Sequence, residues 1–149
     1  MAADVLEFSQ DPVGILINGL DLITVVKAHE LLLTNAEGHQ QIAGAYQHLP
    51  PYELLDNVNR AARSNRAVLA CTCGAVECWS LTLRVKKARK SLIWSHFKQP
   101  HRPLWDYSAL GELRFEVDNY REQMRFLQEY AALAEAERTL RRERRFAAE

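Results

Sequence analysis

Three cysteines fall within eight residues, Cys71-Thr-Cys73-Gly-Ala-Val-Glu-Cys78, with Trp79 directly after them, and the chain holds no other cysteine. Thiols so spaced can bind a soft metal, exchange as a redox pair, or fill a tight turn as small apolar side chains. Side chains alternate faces along a strand, so Cys71 and Cys73 share one face with Thr72 opposite. Gly74 permits a sharp reversal and Cys78 opens the next strand, which gathers the sulfurs at one end of a hairpin. Structural zinc takes four tetrahedral ligands, and the candidate fourth is His101, with His96 second. The C-x-C step is tighter than most zinc knuckles. Reduced, buried cysteines acting as small core residues are therefore the leading expectation. A structural zinc on Cys71, Cys73, Cys78 and His101 is the alternative, and a redox pair of Cys71 with Cys78 comes third. No Gly-rich phosphate loop, G-x-S-x-G elbow or H-E-x-x-H occurs, so a protein without catalytic activity is expected.

A second cluster is aromatic. Trp94, Phe97, Trp105, Tyr107 and Phe115 lie within 22 residues, interleaved with Gln99, His101, Arg102 and Asp106. Such a segment covers a sheet or lines a recognition surface, and Trp, Tyr and Arg dominate the energetic centres of interfaces. Trp94, Arg102, Trp105 and Tyr107 are the candidate binding residues, together with the basic run Lys86, Lys87, Arg89 and Lys90. The net charge of zero hides a segregation: residues 1–59 balance to −7 and residues 60–102 to +9. Either these parts face each other, within the fold or in a homodimer, or a basic surface meets an acidic partner.

The elements that must position these residues are legible at low resolution. A chain of 149 residues with 48% apolar composition suits one domain with a sizeable core. Gly14-Ile15-Leu16-Ile17 reads as a strand stopped by Asn18-Gly19, and Asp21 caps a helix carrying Leu22, Ile23, Val25, Val26, His29, Leu32 and Leu33. Residues 35–51 read as loop, with Pro50-Pro51 barring a helix there, and a helix follows from Tyr52 through Arg63. The middle reads as a three-stranded antiparallel meander over 67–71, 79–85 and 91–94, with Lys86 to Lys90 as a basic turn. Residues 112–117 add a last strand. From Asp118 one long helix runs on, Asn119 and Glu122 forming a capping box and arginines crowding its end. The expected class is α+β: a central antiparallel meander of about three to five strands, an N-terminal helix, and a long C-terminal helix on one face. The expected divisions are an N-terminal extension 1–13, a mixed core 14–117 and the helix 118–149.

The pattern Cys71-x-Cys73-Gly-x3-Cys78-Trp79, then Trp94-x2-Phe97-x-Gln99-Pro100-His101-Arg102, then Trp105-Asp106-Tyr107, with Phe115 and Tyr120, resembles a family of small uncharacterised bacterial proteins. Ile17-Asn18-Gly19-x-Asp21-Leu22 fits the same pattern, and the resemblance spans roughly residues 14–125. It implies no set activity. By analogy, bacterial proteins of this size and make-up are often toxin-neutralising immunity proteins or small regulators. The leading expectation is therefore a protein-binding protein with a protein partner, plausibly a toxin. The alternatives are a nucleic-acid-associated protein, using the basic hairpin and the C-terminal arginines, and a zinc-stabilised module. The N-terminus lacks the basic-then-apolar pattern of a signal peptide, no apolar run approaches a membrane span, and cysteines are odd in number. A cytoplasmic location without membrane contact is expected.

Overall fold

The structure is a computed structural model that describes residues 3–10, 13–38, 40–73, 75 and 78–148. Gly74 with its reversal, Glu77 and His39 lie outside the described residues. The chain is α+β, with eight strands and three α-helices among those residues. Strands β1 (Leu6–Ser9), β2 (Gly14–Ile17) and β3 (Leu20–Asp21) form a small antiparallel sheet. Helix α1 (Leu22–Glu37) follows. Strand β4 (Tyr46–His48) leads into helix α2 (Pro51–Arg60). Strands β5 (Arg66–Cys71), β6 (Leu81–Lys87), β7 (Ser91–Lys98) and β8 (Leu113–Glu116) continue from β4 as a five-stranded antiparallel sheet in sequential order. Helix α3 (Val117–Ala148) closes the described chain.

Asn18 and Gly19 both take positive φ (53° and 83°), the conformation that joins β2 to β3. Asp21 then caps α1 by accepting the Ile23 N–H at 2.8 Å, and the same carboxylate holds His48 Nε2 of β4 at 3.0 Å. Residues 35–51 contain more order than their loop-like composition suggests. Helix α1 runs to Glu37 and ends on left-handed Gly38, and Tyr46–His48 is a strand. Three residues with a single strong β-former carry too little pattern to be read; pairing with β5, Tyr46 opposite Cys71, is what orders them.

Strand β7, with 8 residues, is twice as long as the 91–94 stretch expected from its sequence. His96 adopts φ 58°, and the β6–β7 register slips between Thr82 and Arg84, so one extra residue of β7 is absorbed as a bulge. Asn65 stitches that bulge by donating to the His96 carbonyl at 2.7 Å. The bulge turns His96 outward and returns Phe97 to the core at 5% exposure.

One hydrophobic core joins both sheets, from Leu6, Phe8 and Ile15 through Leu69, Leu83 and Trp94 to Phe115 and Leu127. Strand β1 is thus part of the core and not of an extension: Leu6 is fully buried and Phe8 nearly so. Nor is Asn119 a cap. It lies inside α3, where its side chain accepts the Leu6 N–H at 2.9 Å and donates to the Leu6 carbonyl at 3.0 Å, and Gln123 accepts the Phe8 N–H at 2.8 Å. The free edge of β1 is paired by amides on a helix, a backbone demand that no local sequence pattern reports. Among the described residues no helix is long and apolar enough to cross a membrane. Replacing Asn119 with Ala leaves two part-buried backbone groups of Leu6 without partners, and urea denaturation should show a loss of about 1–3 kcal/mol.

Candidate functional site

The loop between β7 and β8 carries His101, Arg102 and Trp105, and a buried acid holds it in place. Glu30 on α1 is fully buried. Its Oε1 accepts the Gly44 N–H at 2.9 Å, and its Oε2 accepts both the Tyr46 and Tyr107 hydroxyls at 2.6 Å. Gln99, 1% exposed, donates to the Tyr46 hydroxyl at 3.0 Å and accepts the His101 N–H at 3.0 Å. His29 adds a ring-nitrogen bond to the Asp106 carbonyl at 2.9 Å and packs against the Tyr107 ring. The loop is therefore fastened at two points to one carboxylate, by Tyr107 directly and by Gln99 through the Tyr46 hydroxyl. Gly44 makes this geometry attainable: it has φ 64°, and a Cβ there would collide with the Lys27 side chain.

Burial and then the charge of Glu30 push the Tyr46 phenol far above its ordinary value, and burial does the same first at Tyr107. Burial also raises Tyr120 to about 12, partly offset by the Trp94 indole N–H that it accepts at 3.3 Å.

At the tip of the fastened loop, the Arg102 guanidinium lies 5.2 Å from the Trp79 ring centre and 6.0 Å from that of Trp105. The two tryptophans meet edge to face at 5.9 Å, and the His101 ring stacks on Trp79 at 6.0 Å. Cation–π contact of this kind, repeated on two rings, fixes a flexible side chain at a half-buried position. Leu104, between them in sequence, is 95% exposed.

Trp79 also ties this corner to the cysteines. The three sulfurs lie within 4.8 Å of one another, although only Cys71 is on a strand and Cys73 and Cys78 lie in turns. The buried-thiol expectation is overturned, however: Cys71 is half-buried, while Cys73 and Cys78 are exposed, and all three are free thiols. Hydrogen bonds from the Cys73 backbone, and then from the Cys73 and Cys78 side chains, lower the Cys71 thiol to about 7. The same sharing raises Cys78 to about 11. His101 is not part of the close sulfur group, because its ring lies against Trp79 instead.

The other candidates divide by burial. Trp94 has no exposed surface: it packs edge to face on Phe115 and Tyr120, so it belongs to the core and cannot meet a partner. Tyr107, 6% exposed and bonded to Glu30, anchors the loop rather than presenting a surface. Lys86, Lys87, Arg89 and Lys90 are all exposed, the first two on β6 and the others in the turn after it. Spacing did not reveal Glu30, Tyr46 or Gln99. Glu30 sits on the helical face otherwise read as apolar, and a lone acid there is the signal that was available.

Three concavities run side by side across this face. The first, about 400 Å³, is bounded by Arg84, Lys98, Arg102 and Trp105. The second, about 490 Å³, shares Arg84 and adds Lys86 and Lys87. The third, about 530 Å³, shares Lys87 and Tyr120 with the second and adds Arg89, Arg121 and Arg125. The result is a trough of eight cations with no carboxylate among the described residues lining it.

Above pH 10 the unfolded chain loses phenolic protons that Tyr46 and Tyr107 retain in the fold. The native state then binds more protons than the unfolded one, so stability is complete below about pH 10 and falls as pH rises beyond it. Phenolate absorbance should rise together with loss of far-ultraviolet circular dichroism, and Tyr107→Phe should make the decline of stability with pH shallower.

No protein-family model, curated protein or solved structure matches this chain.

Proposed function

We propose that this chain is a binding protein without catalytic activity whose basic trough receives an acidic protein partner, in the manner of an immunity protein or small regulator. One observation carries the reading: the β6–β7 hairpin, the first half of α3 and the Arg102 corner contribute cations to three concavities linked through shared lining residues. Cations of one sign in a groove attract an oppositely charged protein from a distance and orient it on arrival.

The trough floor favours protein over nucleic acid. Val58, Ala62, Val85, Leu92 and Met124 lie between the cations, which suits a segment alternating acidic and aliphatic residues. Exposed Leu104 extends that apolar character beyond the Arg102 corner. Single-stranded nucleic acid relies on open aromatic faces for its bases. Here the Trp79 ring is already flanked by Arg102 and His101, and the Trp105 ring by Arg102 and the Trp79 edge.

The test is affinity capture from the native host by wild type and by the double variant Lys87→Glu/Arg89→Glu, with and without nuclease. Wild type should retain an acidic protein that is nuclease-resistant and elutes as salt rises. The variant should bind it at least about 10-fold more weakly, since reversal of interfacial charges costs a kcal/mol or more. Capture that nuclease abolishes, or that the variant reproduces in full, would overturn the reading.

A further inference from the structure

We propose that Cys71, Cys73 and Cys78 form a binding site for one thiophilic d10 metal ion, zinc(II) or copper(I), held by three thiolates with a further coordination position facing solvent. Cysteine is among the residues most often buried, so two exposed thiols beside a third half-buried one are out of keeping with a packing role. Their convergence is equally hard to assign to packing. Tetrahedral zinc at about 2.3 Å from each sulfur needs sulfurs roughly 3.8 Å apart, and sulfurs already within 4.8 Å reach that by small side-chain rotations.

The frame around the sulfurs is built to hold them. Cys71 ends β5 in register with Tyr46, the residue bonded to Glu30. At the other end, the Cys78 N–H donates to the Ala75 carbonyl at 3.2 Å, and the following Trp79 packs on the core and against Arg102. Two ligands are thus fixed by the sheet and the aromatic corner, and Cys73 rides between them. Among the described residues no histidine or carboxylate joins the close group, so the set is three sulfurs and not Cys3His. Soft thiolates select copper(I) and zinc over harder ions. A set of three protein ligands leaves zinc the open position that a closed structural site lacks. The binding step is simple: each bound thiol gives up its proton to buffer as the sulfur–metal bond forms, with no change of oxidation state.

The experiment uses the full chain, reduced, oxygen-free and stripped with a chelator. Zinc(II) is titrated against a chromophoric chelator, copper(I) against a copper(I)-selective one, and cobalt(II) is added as a spectroscopic substitute for zinc. One equivalent of zinc or copper per chain is expected, and cobalt should show thiolate-to-metal charge transfer. Cys71→Ser, Cys73→Ser and Cys78→Ser should each weaken binding by more than the roughly 10–100-fold that loss of an outer-shell partner costs. His101→Ala should bind as wild type does. Melting of each stripped variant alongside stripped wild type separates ligand loss from misfolding. Sub-stoichiometric binding, cobalt spectra without thiolate charge transfer, or equal affinity in the triple serine variant would overturn the site. A loss in His101→Ala equal to that of the cysteine variants would overturn the three-sulfur assignment.

Discussion

A carboxylate taken out of water must be repaid in hydrogen bonds, and the site of this protein is organised by how Glu30 meets that demand. Three donors reach its two oxygens: a backbone N–H from Gly44, a hydroxyl from strand β4 and a hydroxyl from the loop after β7. Two donors come from the run into β4 and the third from the loop after β7, so satisfying one acid draws together α1, the edge of the five-stranded sheet and a loop with little regular structure. Buried charge is weak evidence for stability but stronger evidence for a specified arrangement, because the alternatives leave it unpaired. The loop inherits its position from this constraint.

What that position achieves is visible at the surface. With Gln99 and Tyr107 holding it on either side of the corner, the loop carries Arg102 onto two tryptophan rings and leaves Leu104 outside. Arg102 then continues a line of cations begun by the hairpin and by α3. Among the described residues, the arginine–carboxylate ion pairs Arg60–Asp56, Arg114–Glu112 and Arg138–Glu135 join near neighbours in sequence. Exposed pairs of this kind are worth well under about 1 kcal/mol, too little to organise the fold.

The cysteine turn stands at the meeting point of these two systems. Through Tyr46 its first thiol adjoins the Glu30 network, and through Trp79 its third adjoins the Arg102 corner. Metal occupancy at the sulfurs and the posture of the Arg102 loop therefore share a framework, although neither requires the other.

Much of the architecture was readable because it follows short-range rules. The Asn18-Gly19 turn, the Asp21 cap and the long helical pattern after 117 each depend on neighbours within a few positions, while the strand expected over 79–85 runs instead from Leu81 to Lys87, with Leu81, Thr82 and Leu83 all buried. The convergence of Cys71, Cys73 and Cys78 was expected too, but not its means: β5 ends at Cys71, and Cys73 and Cys78 lie in turns rather than on strands. Where partners are remote, the pattern was silent or misleading. Asn119 resembled a cap because Glu122 follows it, yet it pairs with Leu6, 113 residues away. Trp94 and Tyr107 looked like recognition residues from their type, and only packing showed one to be core and the other an anchor. The three-residue strand at Tyr46, the bulge at His96 and the partners of Glu30 were decided in the same way. Local sequence determined which elements form, because backbone propensity and side-chain period act over a few residues. Tertiary structure decided burial and partnership, because desolvation depends on every segment that closes over a group.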